Sequence, residues 1–243
     1  MRSRKQTAEW LRHIGSTPVS VFPELETSVA REDNLQVRCD VYGRALNDSD
    51  DMTLDEALIP TRTQCDIIKE IRKARNKDKA ALLRRTRLPE ICISATLTSR
   101  IQGISEERRI LRYNSLVVLN IAAEGDADMV KLLLSSLPFI FYAGLDTPGT
   151  GLDVIVPVET DDWRRHGEYF YAVKESIELL GLKVSSSGAS VCSTISASYD
   201  AEAYRNNSCQ VFRLPKGESA ATPNPIPRQA ADIQSRPPLK LYS

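Results

Sequence analysis

Leu116-Val117-Val118-Leu119 is an unbroken apolar run inside the segment Ser115 to Ala122. Such a run belongs to a central strand covered on both faces, since a half-wet strand would alternate apolar and polar residues. The chain must therefore build a sheet with a layer packed on each side. The neighbouring segments supply candidates. Asp126 caps a helix carrying Met129, Leu132 and Leu133, which ends at Pro138. Phe139 to Leu145 and Leu152 to Val158 read as strands joined by the turn signal Asp146-Thr147-Pro148-Gly149-Thr150-Gly151. Asp161 or Asp162 caps a longer helix with an apolar face of Trp163, Phe170, Val173, Ile177 and Leu180, stopped by Gly181. A Ser/Gly-rich loop then leads to a last strand near Ser193 to Ser198. The order is strand, helix, strand, strand, helix, strand, the split βαβ or ferredoxin-like arrangement.

Upstream, Val19 to Phe22 reads as a short strand, and Leu35, Val37, Cys39 and Val41 alternate with polar residues as in a half-buried strand. The acidic loop 47–51 follows, and Thr53 with Glu56 forms a capping box that opens a short helix ending at Pro60. Two helical segments come next, from about Gln64 to Arg75 and from Lys77 to Arg85, and Ile91 to Leu97 is a further strand that could extend the sheet. Between residues 69 and 87 nine basic residues, Lys69, Arg72, Lys73, Arg75, Lys77, Lys79, Arg84, Arg85 and Arg87, face two acids, Glu70 and Asp78. The chain as a whole carries 32 basic and 32 acidic residues, so this surplus is local. It reads either as a phosphate-facing surface or as a solvated helical pair. Residues 1–17 form a polar N-terminal arm with Trp10, Leu11 and Ile14 as docking contacts, 18–213 one α+β domain, and 215–243 a Pro-rich disordered tail holding six of the 13 prolines.

Other chemistry is thinly represented. Five scattered cysteines without a CxxC pair, and two histidines, give no zinc pattern and suit core thiols in a reducing cytoplasm. No apolar run reaches the roughly 20 residues of a membrane helix. His166 lies one position off its helix stripe and reads as a packing residue rather than a general base. Asp50-Asp51 and Asp161-Asp162 read as loop and helix-cap acids, not a metal pair. Gly149-Thr150-Gly151 could bring backbone N–H groups to a nucleotide phosphate, yet no Gly-Lys-Ser/Thr follows, and a plain hairpin connection is the simpler reading.

Four stretches recur in the order and spacing of one domain: Arg87-Leu88-Pro89-Glu90-Ile91, Asn114 to Ala122, Thr147-Pro148-Gly149-Thr150-Gly151-Leu152, and Ser198-Tyr199-Asp200. Over about residues 18–213 the chain resembles the primase-like amino-terminal domain found ahead of VirE-type helicase domains in bacterial mobile elements and phages. That resemblance implies an archaeo-eukaryotic primase-like palm of RRM-like βαββαβ form, with an additional N-terminal strand and the basic helical pair. It also implies an Asp-x-Asp at the end of the strand 115–122, where two divalent cations would be held for nucleotidyl transfer. Those positions here are Asn120 and Ala122. Near the phosphates the family's basic residue is replaced by Asp153, and a later Asp and Arg are replaced within Ser185-Ser186-Ser187-Gly188 and around Thr194.

The expectation is a catalytically degenerate primase-like domain that needs no cofactor. It would bind single-stranded DNA, a primer-template or a replication or helicase protein, in the cytoplasm and away from membranes. The alternatives are an active Mg²⁺- or Mn²⁺-dependent primase-polymerase using Glu124, Asp126 or Asp200 as substitute carboxylates, and a purely structural or protein-interaction domain. The residues expected to meet nucleic acid are Lys69, Arg72, Lys73, Arg75, Arg84, Arg85 and Arg87.

Overall fold

A computed structural model of the chain describes residues 4–22, 28–32, 35–39, 50–98, 105–123 and 125–214. In chain order the elements are α1 (Arg4–Arg12), β1 (Pro18–Phe22), β2 (Ser28–Glu32), β3 (Leu35–Cys39), β4 (Asp50–Thr53), α2 (Leu54–Ala57), α3 (Arg62–Lys73), α4 (Lys77–Arg87), β5 (Glu90–Cys92) and β6 (Ala95–Leu97). The second half continues with α5 (Glu106–Arg109), β7 (Ile110–Tyr113), β8 (Leu116–Ala122), α6 (Ala127–Ser135), β9 (Tyr142–Leu145), β10 (Gly151–Pro157), α7 (His166–Glu178), β11 (Ile195–Ser196) and β12 (Tyr204–Arg205). The chain is an α+β protein.

The central sheet runs β12-β9-β10-β8, with every neighbouring pair antiparallel. β8 and β9 flank β10, so the βαβ unit is split by the returning strand, as the element order predicts. The apolar run is covered on both faces, as its composition demands, but β8 stands at the end of the four-stranded order rather than at its centre. Val117, Leu119 and Ile121, with Leu152, Val154 and Val156 of β10, pack under Val130 and Leu134 of α6 and Tyr169, Phe170, Val173 and Ile177 of α7. On the opposite face Leu116, Val118 and Ile155 meet Val19 and Ile91 of a second sheet, ordered β11-β5-β1-β4, Ile93 just after β5, and Leu54 and Ala57 of α2. β8 is thus sandwiched between a helical layer and a second sheet.

Local signals place several boundaries. Thr53 and Glu56 form the reciprocal capping box of α2, and Thr61 with Gln64 does the same for α3. Asn76 caps α4, Asp126 caps α6, and Asp162 caps the short 3-10 turn Trp163–Arg165 that leads into α7. The N-terminal arm is mostly helix α1, docked through the partly buried Trp10 and Leu11 and the buried Ile14.

Four expectations are corrected. The segment 91–97 is two short strands: β5 joins the second sheet and β6 pairs with β7, because Asn114 takes the carbonyls of Ile93 and Ser94 between them. Asp50 and Asp51 lie on β4 rather than in a loop. In α6 the face toward the sheet is Val130 and Leu134, while Met129, Leu132 and Leu133 are exposed, so the buried stripe is rotated about one position from the expected one. The last strand of the split βαβ unit is not at 193–198. Val184 makes one antiparallel bridge to Ile121 of β8, flanked by bonds from Ala122 N to Lys183 O and Ser185 N to Asn120 O. Ile195–Ser196 leaves that sheet and pairs with β5. Gly188 lies so close to β8 that a Cβ there would stand 2.1 Å from the Val118 carbonyl oxygen, and the Ser/Gly loop thereby covers the strand edge. The segment 215–243, Val41 and Glu124 lie outside the described residues.

Candidate functional site

Asn120 is the one polar residue of β8, and Asp153 the one charged residue of β10; the antiparallel register sets them directly opposite each other. Alternation along both strands turns them away from the helices, toward the face shared with the second sheet. Asn120 Nδ2 donates to Asp153 Oδ1 at 3.1 Å and to Asp146 Oδ2 at 3.4 Å. Asp146 begins the hairpin turn, and its other oxygen accepts from the backbone N–H groups of Thr150 (3.0 Å) and Gly151 (3.1 Å). Asp153 is only 6% exposed. Burial pushes its carboxyl up to about 7; the Asn120 hydrogen bond pulls the other way, Asp146's charge adds to the rise, and Arg84 reduces it.

The hairpin turn is held from outside by the basic helices. Arg72 of α3 donates through Nη2 to the Asp146 carbonyl (2.9 Å) and to Ser198 Oγ (3.2 Å), and through Nε to the Thr147 carbonyl (3.3 Å). Gly149 has φ +73°, and a Cβ there would sit 3.1 Å from Arg72 Nε. A Cβ on Gly151 would stand 2.7 Å from the Ile121 carbonyl oxygen. These glycines are required by the turn itself and by its close approach to β8 and to Arg72. The amides of Gly149, Thr150 and Gly151 are all taken by Asp146. The Gly149 N–H is held by the Asp146 backbone carbonyl and the other two by its carboxylate, so a phosphate at this turn would have to displace both.

Two of the expected substitute carboxylates, Asp126 and Asp200, are engaged elsewhere. Asp126 accepts from Met129 N at the start of α6. Asp200 forms a 2.7 Å ion pair with the buried Lys131 and accepts from Leu145 N and Glu202 N. Burial alone would raise the Asp200 carboxyl, but these bonds hold it below its ordinary value. Burial likewise opposes the charge on Lys131, and the carboxylates of Asp200 and Asp128 outweigh it. Among the described residues no group of three or more His, Cys, Asp or Glu side chains could hold a metal ion. Asn120 turns its amide donors toward the acids, Ala122 offers no ligand, and one Asp146 oxygen is spent on the turn, so these residues do not fit a two-metal centre. The hollow beside Asn120, lined by Ser94, Val118, Ser187, Gly188 and Thr194, is about 30 Å³, room for a water molecule rather than a nucleotide.

The basic helices divide into two groups. Arg72 turns inward as described. Lys73, Arg75, Lys77, Arg84, Arg85 and Arg87 are exposed on the α3–α4 pair, whose own small core is Ile68, Ile71 and Leu88. Lys69 and Lys79 are exposed as well, paired with Asp66 (3.2 Å) and Glu70 (3.1 Å). Such exposed pairs contribute little to stability and are easily exchanged for another anion. His166 is 1% exposed and bridges Tyr113 Oη (3.1 Å) and the Gly188 carbonyl (3.3 Å); burial lowers its pKa, and it serves as a packing residue. Cys92 and Cys209 are buried thiols.

Asp146 and Asp153 are the acids that gather at Asn120, and sequence reasoning did not bring them there. A single Asp inside an otherwise apolar strand, next to a strand with a single Asn, is the signal that could have found the pair.

Residues 84–204 match the family model described as the BT4734-like N-terminal domain. The matched stretch begins in the last turns of α4 and ends in β12. It includes the Asn120–Asp153–Asp146 cluster, the hairpin turn and Ser198-Tyr199-Asp200, and it leaves out α3 with Arg72. No curated protein and no solved structure matches the chain. Among the described residues no helix is long and apolar enough to cross a membrane.

Proposed function

We propose that this chain is a primase-like domain that has lost nucleotidyl transfer and acts by binding nucleic acid along α3 and α4. The observation that carries the reading is the exposed cluster Lys73, Arg75, Lys77, Arg84, Arg85 and Arg87, with Arg72 tying α3 to the turn beside Asn120. Phosphates are neutralised by clustered Lys and Arg, and this term needs no base contact. The loss of transfer is supported by the amide-for-carboxylate replacement at Asn120, where a donor to Asp146 and Asp153 stands in place of a metal ligand. A domain of this kind, from a mobile element or phage, would work in the cytoplasm beside a replication or helicase protein.

The test is one reaction series on the full chain. A labelled single strand and a primer-template are titrated by anisotropy, and the same mixtures receive nucleotides with Mn²⁺ or Mg²⁺. Binding that weakens steeply with salt, with no primer made or extended, is the expected result. Synthesis abolished by Asp153→Asn or Asp146→Asn would refute the loss of transfer, and binding absent at low salt would refute the nucleic-acid reading.

A further inference from the structure

Ser198, Tyr199 and Asp200 run along β9 in an unusual way. Ser198 Oγ donates to the Leu145 carbonyl, and Asp200 Oδ2 accepts from the Leu145 N–H at 2.9 Å. Both polar groups of one β9 residue are thus held by side chains on either side of Tyr199. Ser198 also receives Arg72, and Asp200 is locked by Lys131 at 2.7 Å. The backbone around Tyr199 is therefore fixed from both directions, yet Tyr199 itself is left 40% exposed. A partly exposed aromatic residue on an anchored backbone loses little freedom when a flat ligand covers it. Its neighbour Ser198 is joined to α3 by Arg72. Arg72 touches the residue before Tyr199, and the next residue of α3 is the exposed Lys73.

We infer that Tyr199 is a stacking platform for an unpaired base of a single-stranded nucleic acid whose phosphates lie over the α3–α4 cations. The inference rests on the nucleic-acid reading above and adds strand type and a named contact. Stacking requires a base face that a duplex conceals, so it selects single strands. It is tolerant of base identity, because every base has a π-face. Tyr171 is a suitable comparison: it is also exposed, but it lies on α7, which covers the helical face of the central sheet.

The experiment uses the full chain with a fluorescein-labelled oligothymidylate of about 20 nucleotides, the matching oligouridylate, and a duplex of equal length. Tyr199→Ala should weaken binding of the single strand about 5- to 150-fold, the range of one lost base stack. The slope of log affinity against log salt should stay unchanged, because no cation is removed. Tyr199→Phe should restore binding, Tyr171→Ala should match the wild type, and all three variants should melt with the wild type. Loss with oligothymidylate alone identifies a DNA strand as the ligand, loss with oligouridylate alone an RNA strand, and either supports the platform. A wild type that binds while Tyr199→Ala binds equally well, or loses the duplex to the same extent, overturns the platform and leaves the basic surface standing. A wild type that binds none of the three probes overturns both.

Discussion

Asp153 faces Asn120 across a ladder whose other side chains are mostly apolar, and its protonation state follows from that surrounding. The unfolded carboxyl ionises near 3.8, while burial holds the folded one protonated up to about 7. The native state therefore binds more protons between those values, and this group's contribution to stability declines as pH rises through the window. Asp153→Asn keeps an acceptor for Asn120 and removes the ionisation. The variant and the wild type should differ least below about pH 4, and the variant's advantage should grow to on the order of a few kcal/mol by pH 8, read from denaturation midpoints. A constant difference across that range would contradict the assignment. Ser115 is a second residue with a definite cost. It has φ 58° and is fully buried, and its hydroxyl has no hydrogen-bond partner among the described residues. Ser115→Gly relieves the left-handed strain and removes the orphan group, and should stabilise the protein by about 1 kcal/mol in chemical denaturation.

At the level of elements, the corrected face of α6 and the latch on α3 make opposite predictions for similar-looking positions. Leu134→Ala should cost about 2–5 kcal/mol, because Leu134 is buried against the central sheet. Leu132→Ala, at a residue 64% exposed, should cost less than about 1 kcal/mol, mostly through lost local contacts. The reverse ranking would restore the stripe expected from sequence. Arg72→Ala should cost about 2 kcal/mol, and Arg72→Lys should recover little of it, since one ammonium cannot serve two carbonyls and a hydroxyl in the guanidinium's planar geometry. These elements also show what a sequence reading can reach. The capping box Thr53–Glu56 and the apolar run of β8 were legible because both are local or compositional. The α6 face was not, because Met129, Leu132 and Leu133 satisfy helical spacing as well as Val130 and Leu134 do. Only packing on the sheet chooses between them. The strand at Val184 was hidden for a similar reason: one bridge to Ile121 defines it, while the more strand-like Ile195–Ser196 is claimed by β5. Asn120 was singled out from the resemblance, but its partners Asp146 and Asp153 depend on register and turn geometry, which no local pattern encodes.

For the whole molecule, the central sheet divides labour between its faces. Helices α6 and α7 close one face, and the second sheet closes much of the other, leaving beside Asn120 a hollow the size of a water molecule. Among the described residues the α3–α4 pair exposes a cluster of six cations and is tied to the turn of the central sheet by Arg72. The proposed function by binding rests on this distribution. The most direct check is the salt dependence of single-strand affinity for the wild type and for Lys73→Gln/Arg84→Gln/Arg85→Gln, three exposed cations that make no ion pair among the described residues beyond Arg84's long-range effect on Asp153. Removing three phosphate contacts should reduce the slope of log affinity against log salt by about 2, with the variant still melting as the wild type does. An unchanged slope would place the binding surface elsewhere and contradict the account.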